Sequence, residues 1–162
     1  MARTGSSRER LVQPPATGRL PQAFAGSVRE VEFRLELIPV PVSDVDRAKE
    51  FYVERAGFNA DNDVTVREGL RFVQLTPPGS ACSISIGEGI TEMSPGSLNG
   101  LQMVVDDIEA ARDDLASREV EVSEVEDFPW GRFVYFADPD GNGWAVQQIP
   151  DYGEGRTQPE GT

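Results

Sequence analysis

The apolar positions of the chain fall into two arrays with the same layout. An apolar strand ends at Val42, and Val45, Ala48 and Tyr52 follow at i, i+3 and i+7. That spacing predicts a helix with one stripe to bury. The layout returns 63 residues later: a strand ends at Val105, and Ile108, Ala111 and Leu115 repeat the helical spacing. Val42–Ala48 and Val105–Ala111 agree in five of seven positions as identical or conservative pairs. Ser43-x-x-Asp46 and Asp106-x-x-Glu109 read as capping boxes, with acids at the positive end of each helix dipole.

Three strands are predicted after each helix. In the first half they are Phe58–Val66, Leu70–Thr76 and Ala81–Gly87, with a turn at Pro77-Pro78-Gly79. In the second half they are Val120–Asp127, Arg132–Ala137 and Gly143–Ile149, with a turn at Asp138-Pro139-Asp140-Gly141-Asn142. The plan is α+β: strand, helix, three strands, twice over. A period of 63 is a duplication, too long for a solenoid repeat. Pro39 and Pro41 each remove a backbone donor from the first strand, which predicts incomplete pairing there.

The predicted boundaries are 1–30 for a basic, disordered extension, 31–95 and 96–150 for the two modules, and 151–162 for a flexible tail. The extension holds five arginines against two glutamates, a net of +3, while the remainder carries −16. Such an acidic body repels phosphate backbones, so nucleic acid is not an expected partner. No apolar run is long enough for a membrane helix or a secretory signal, and a single cysteine, with no disulfide to form, makes a reducing cytoplasm the expected location.

The chain has no histidine and one cysteine, Cys82. This removes Ser-His-Asp and Cys-His nucleophiles, histidine bases, His-ligated metals and internal disulfides. Cys82 alternates with Ile84 and Ile86 and reads as a buried thiol. Asp138 to Gly143 mimics the start of a calcium loop, but Ile149 stands where the loop needs glutamate, so a hairpin turn is the reading. Gly87-Glu88-Gly89 followed by Glu92 does not suit a phosphate.

Phe128, Trp130, Phe133, Tyr135 and Trp144 crowd into 17 residues. Phe133 and Trp144 are assigned to strand core. Trp130, held in a Pro-Trp-Gly turn, is assigned to ligand contact. Gln102 and Gln147 lie on apolar strands and need partners there, whereas Gln74 has no assigned face.

The strand-to-helix segment Val40–Ala48 with Phe51-Tyr52, then Gly57-Phe58, Val104–Ala111 and Phe136–Asn142, resemble in this order the vicinal oxygen chelate superfamily. That group includes glyoxalase I, extradiol dioxygenases and bleomycin resistance proteins. The resemblance spans about Phe33 to Pro150 and implies two βαβββ modules with sheets curved around a shared cavity. Pro129-Trp130-Gly131-Arg132 before the hairpin is most similar to bleomycin resistance proteins. By this resemblance, the positions where metal-using members carry ligands hold Leu37, Gly100, Ala145 and Ser83, so no metal or cofactor is expected. Glu36, beside one of these positions, should point away from the cavity. Members of the family often complete the cavity with a second subunit, which implies a homodimer.

The expected site is a cavity lined by Leu37, Gly100, Gln102, Tyr135, Ala145 and Gln147, with Trp130 closing one side. Its expected ligand is a small, partly aromatic molecule, neutral or cationic, that is sequestered or carried. An anionic ligand would need a cation, and Arg132 is the one candidate. Two alternatives stand beside this. One is a cofactorless lyase or isomerase using Tyr135 or a carboxylate as acid or base. The other is a metal-dependent glyoxalase or dioxygenase with displaced ligands.

Overall fold

The computed structural model describes residues 30–152. The basic extension expected over 1–30 and the tail expected over 151–162 therefore fall almost wholly outside the described residues. Of the described residues, 30–34 belong to a different unit from the body, which starts at Leu35.

Both helices form where the spacing predicts, but each is capped one residue later than the boxes suggest. Helix α1 (Val45–Glu50) is capped by Asp44, whose carboxylate accepts from the Arg47 N–H at 3.0 Å. Helix α2 (Ile108–Ser117) is capped by Asp107, which accepts from the Ala110 N–H at 3.0 Å. Both aspartates are extended, near φ −135°, which hangs the carboxylate over the first turn. Ser43 is drawn elsewhere: its N–H and hydroxyl donate to Asp140 at 3.1 and 2.5 Å. Past Glu50 the chain widens into a π-helical turn, Phe51–Arg55.

The eight strands are β1 (Leu37–Pro39), β2 (Asn59–Arg67), β3 (Leu70–Thr76), β4 (Ser83–Glu88), β5 (Leu101–Val105), β6 (Glu126–Phe128), β7 (Gly131–Ala137) and β8 (Gly143–Gln148). They form two four-stranded sheets with equivalent order, β1-β4-β3-β2 and β5-β8-β7-β6. The pairs β1/β4 and β5/β8 are parallel and the rest antiparallel. This is the doubled α+β plan the repeat predicts, and the sheets do not close on themselves. As its prolines require, β1 is a three-residue edge strand.

The strand expected over Val120–Asp127 shrinks to Glu126–Phe128. Ser123 is the reason. It donates its N–H to the Tyr135 carbonyl at 2.9 Å, and its hydroxyl accepts the Tyr135 N–H at 2.9 Å. A side-chain oxygen thus replaces the backbone carbonyl and the ladder stops. Cys82 is half-buried rather than buried, because it precedes β4.

One face of each sheet turns to a common core. Val73, Leu75, Ile84 and Ile86 from the first sheet and Val134, Phe136, Trp144 and Val146 from the second join one buried cluster. Phe51, Tyr52 and Phe58 bridge them: Tyr52 and Phe58 lie 6.0 and 5.5 Å from the Trp144 ring, and Phe51 lies 6.3 Å from Phe136. Burying each such side chain contributes about 1.5–3 kcal/mol. Because both sheets present the helix-bearing face to this core, the opposite face of each sheet is left outside it.

The Asp138–Asn142 turn is a hairpin, as expected, and also a polar junction. Asp138 Oδ1 accepts the N–H groups of Asp140 and Asn142, both at 2.9 Å. Asn142 donates from Nδ2 to the Pro41 carbonyl at 2.8 Å and to Asp138 Oδ2 at 2.7 Å, while its Oδ1 accepts the Leu98 N–H at 3.1 Å. Buried polar groups are tolerated when every one is partnered. No helix among the described residues is long and apolar enough to cross a membrane.

Candidate functional site

The outer face of the second sheet follows from its register. Gln102 lies beside Ala145 and Val104 beside Gln147 across β5 and β8. Tyr135 is opposite Ala145, and Phe133 opposite Gln147. Glu126 is opposite Phe133, and Phe128 opposite Gly131. Residues level across a ladder share a face, and strand neighbours alternate. All these side chains therefore lie opposite Trp144 and Val146, away from the common core.

The rings on this face form a row. Trp130 stacks on Phe128 at 5.2 Å and 14°, and Phe128 meets Phe133 edge-on at 5.6 Å. Phe133 in turn stacks with Tyr135 at 6.1 Å and 6°. Trp130 is 59% exposed, Tyr135 38% and Phe128 37%, so three rings of the row present area to solvent. Trp144 belongs to the core, as expected. Phe133 is buried, but under its neighbours on the outer face and outside the common core cluster, which corrects its assignment to core.

Two amides run beside the rings. Gln147 donates from Nε2 to the Trp130 carbonyl at 2.8 Å, and Gln102 donates from Nε2 to Gln147 Oε1 at 2.5 Å. The Pro-Trp-Gly segment makes this possible. Gly131 sits at φ +147°, and a Cβ there would lie 2.7 Å from the Gln148 carbonyl and 2.9 Å from Gln147 Nε2. Only glycine lets the Trp130 turn come this close to β8.

The structure thus brings together five of the seven residues expected to line the site: Gln102, Trp130, Tyr135, Ala145 and Gln147. The other two lie elsewhere. Gly100 is exposed in the loop before β5, at φ +87°, and Gln102 takes the level of Ala145 instead. Leu37 is on the outer face of the first sheet, beside Ser83. Arg132 points to the helix side, paired with Glu109 at 2.7 Å and Asp127 at 2.8 Å, so it places no cation on the ring row. The one formally charged residue that the register sets on this face is Glu126, which the sequence reading missed. Its parity with Phe128 was the available signal. At the β5 edge the face adjoins a cavity of about 400 Å³ reached by Gln102 and Val104 and bordered by Phe58, Leu115 and Arg118.

The outer face of the first sheet is mixed: Leu37, Val64 and Phe72 share it with a run of polar side chains. Asn62 donates to Gln74 Oε1 at 3.2 Å, and Gln74 donates to the Ser83 hydroxyl at 3.2 Å. Ser83 and Thr76 hydroxyls lie 2.6 Å apart, and Thr76 donates to Asp61. This settles the facing of Gln74. Asn62 and Asp61 escaped the sequence reading because β2 is exposed along its whole length, and Thr76 because it stands at the very end of β3.

Tyr52 contributes no acid–base function. Its hydroxyl donates to Asp138 Oδ2 at 2.8 Å and accepts the Trp144 Nε1–H at 3.1 Å. Burial, and then the Asp138 carboxylate beside it, push its pKa far above the usual phenol range, so the proton stays.

Comparison with known proteins agrees with this architecture. The family model for the glyoxalase/bleomycin resistance protein/dioxygenase superfamily matches residues 34–146. Among solved structures, the chain is similar to TnmS3, an antibiotic binding protein from Streptomyces sp. CB03234. The two are 37% identical, with a TM-score of 0.68, over 75% of this chain and 99% of that one. A glyoxalase/bleomycin resistance protein from the same Streptomyces is 40% identical, with a TM-score of 0.63, over 71% of this chain and all of that one. A superfamily member from Sphaerobacter thermophilus is 30% identical, with a TM-score of 0.64, over 72% of this chain and 98% of that one. No curated protein sequence matches the chain. With two βαβββ modules in equivalent order and a family match across nearly the whole body, the chain belongs to the glyoxalase/bleomycin resistance protein/dioxygenase superfamily.

Proposed function

We propose that the protein binds a small, partly aromatic molecule, neutral or cationic, and sequesters or carries it without a metal. The observation that carries this reading is the ring row Trp130–Phe128–Phe133–Tyr135, set on a sheet face outside the core with exposed rings at both ends. Each good stacking contact with a flat ligand is worth about 0.5–1.5 kcal/mol. The charge on this face is the carboxylate of Glu126, and the whole chain carries −13, which favours cations over anions. The antibiotic-binding relative at 37% identity supports a ligand of the same broad kind.

The donor set supports metal independence. Leu37 pairs with Ser83, and Gln102, in place of the expected Gly100, stands level with Ala145, so these positions offer an isobutyl group, a hydroxyl, an amide and a methyl. These do not fit a transition metal, which wants imidazole, thiolate or carboxylate. Among the described residues, no three Cys, Asp or Glu converge to hold an ion. The alternative of acid–base chemistry through Tyr135 gains no support, because its hydroxyl meets no hydrogen-bonding side chain among the described residues.

The protein acts in this reading in the cytoplasm and as a homodimer; each chain leaves one aromatic and one mixed polar and apolar sheet face outside its core, and a second copy can set one against the other. The test is native mass spectrometry of protein isolated from its own host, with elemental analysis of the same sample. A co-purified aromatic compound, released chemically unchanged, with substoichiometric metal is the expected result. One tightly held transition metal per chain overturns metal independence, and conversion of the released compound on re-incubation overturns sequestration.

A further inference from the structure

The two amides on the ring face are not free to choose their orientation. The Trp130 backbone carbonyl can only accept, so Gln147 must turn its NH2 toward it, at 2.8 Å. Gln147 Oε1 can also only accept, so Gln102 must turn its own NH2 toward it, at 2.5 Å. One fixed carbonyl therefore sets both side-chain flips, which are otherwise ambiguous. What remains at the end of the relay is Gln102 Oε1, an acceptor on an exposed residue with no donor partner among the described residues, beside the second N–H of the same amide. The hydrogen bonds point the same way along the relay, which strengthens the terminal acceptor.

We infer that Gln102 Oε1 is the specificity-determining group of this face: it selects flat ligands that carry an N–H or O–H donor at their rim. The inference rests on the reading of the ring row as a binding face. Gln147 is a positioning residue, which holds Gln102 in the accepting orientation, and Gly131 is the residue that lets Gln147 reach the Trp130 carbonyl. A ligand amino group over Gln102 donates to Oε1 while its rings lie along Trp130 and Tyr135. A ligand without such a donor covers Oε1 and leaves it unpaired, whatever acceptor it sets against the second N–H, and so forfeits the bond that Oε1 had with water.

The test uses two dyes with the same three-ring phenothiazinium frame and the same single positive charge. Thionine carries two primary amines, whereas in methylene blue both amines are fully methylated. Equal charge cancels the general attraction of an acidic protein, and the readout is the ratio of thionine affinity to methylene blue affinity, measured by dye absorbance. In Gln102→Met the ratio is expected to fall about five- to tenfold relative to wild type, the equivalent of one hydrogen bond. Gln147→Met is expected to lower the same ratio although it leaves Gln102 in place, which a purely structural role would not do. Trp130→Ala shows whether the dyes occupy this face. If Trp130→Ala weakens both dyes but the ratio is the same in wild type and Gln102→Met, the inference about Gln102 is wrong and the binding face stands. If neither dye binds in a Trp130-dependent way, the reading of the ring face falls and the inference falls with it.

Discussion

Tyr52 and Asp138, 86 residues apart, meet in the core with the phenol donating to Asp138 Oδ2 at 2.8 Å. This bond ties the helix of the first module to the hairpin of the second, and Trp144 Nε1 donates to the same phenol oxygen. Tyr52→Phe keeps the ring packing but leaves the buried Trp144 N–H without an acceptor, which should cost about 1–3 kcal/mol. Asp138→Ala strips the acceptor from the Asp140 and Asn142 N–H groups, from Asn142 Nδ2 and from Tyr52 at once, and should cost about 3–5 kcal/mol. Urea unfolding of both variants checks the order. Equal losses, or a larger loss for Tyr52→Phe, would show that the junction does not work through Asp138.

Gly131 is the next place where a single atom decides. Alanine there must adopt φ +147° and puts its Cβ 2.7 Å from the Gln148 carbonyl and against the Gln147 side chain. Backbone strain of this kind costs about 1–3 kcal/mol. Gly131→Ala should therefore destabilise the protein by that amount and pull Gln147 from the Trp130 carbonyl, visible as a shift in the Trp130 fluorescence maximum. Gly79→Ala is the comparison, since its Cβ would meet nothing within 4 Å, although its φ of +80° is also positive. A Gly131→Ala variant no less stable than Gly79→Ala would contradict this account.

The duplication is legible because each half writes its own helix, with Val45–Ala48–Tyr52 and Ile108–Ala111–Leu115 at the same spacing. Local chemistry carries that far and no further. Ser43 and Asp44 both qualify as caps, and only Asp140, 97 residues on, takes Ser43 out of competition. Val120–Val125 has strand character, yet Ser123 ends the ladder with a side-chain hydroxyl. At the site, parity along β5, β7 and β8 is enough to collect Gln102, Tyr135, Ala145 and Gln147. Counting back from a helix cap is not enough to place Gly100, because it lies outside the ladder. Which sheet faces share a core is invisible to periodicity, and that is why Leu37 was grouped with residues of the other sheet.

Asp63 predicts a loss of stability in acid. Its carboxylate accepts from Arg71 at both oxygens, 2.9 Å each, and from Lys49 at 2.8 Å. These bonds, Arg71 first, hold its carboxyl well below the usual carboxylate range. The folded protein thus ionises Asp63 more readily than the unfolded chain does. The stabilisation is fully present above the unfolded value of about 4 and is lost as pH falls below it toward the folded value. Partial exposure of the three side chains limits the gain to about 1 kcal/mol. Asp63→Asn should cost that much at pH 7, and its gap from wild type should narrow below about pH 4. A gap that stays constant from pH 7 to pH 2.5 would assign the cost to something other than this ion pair.

Trp130 and Phe133 belong to one ring row but should fail in different ways. Trp130 is 59% exposed and touches the body through Phe128 and its own carbonyl, which a substitution leaves in place. Trp130→Ala should change unfolding free energy by no more than about 1 kcal/mol, as exposed positions do. Phe133 is 6% exposed, between Phe128 and Tyr135, and Phe133→Ala opens a cavity under the row at about 3–5 kcal/mol. Binding should reverse the ranking per unit of stability lost. Trp130→Ala removes a large exposed stacking surface and should weaken thionine about tenfold, one unit of 1.4 kcal/mol, with melting almost unchanged. Phe128→Ala should fall between the two, because it both supports Trp130 and covers Phe133. Thermal melts and dye titrations on the three variants separate the roles. A Trp130→Ala protein that melts like wild type and still binds thionine with wild-type affinity would mean that the exposed end of the row is not where flat cations sit.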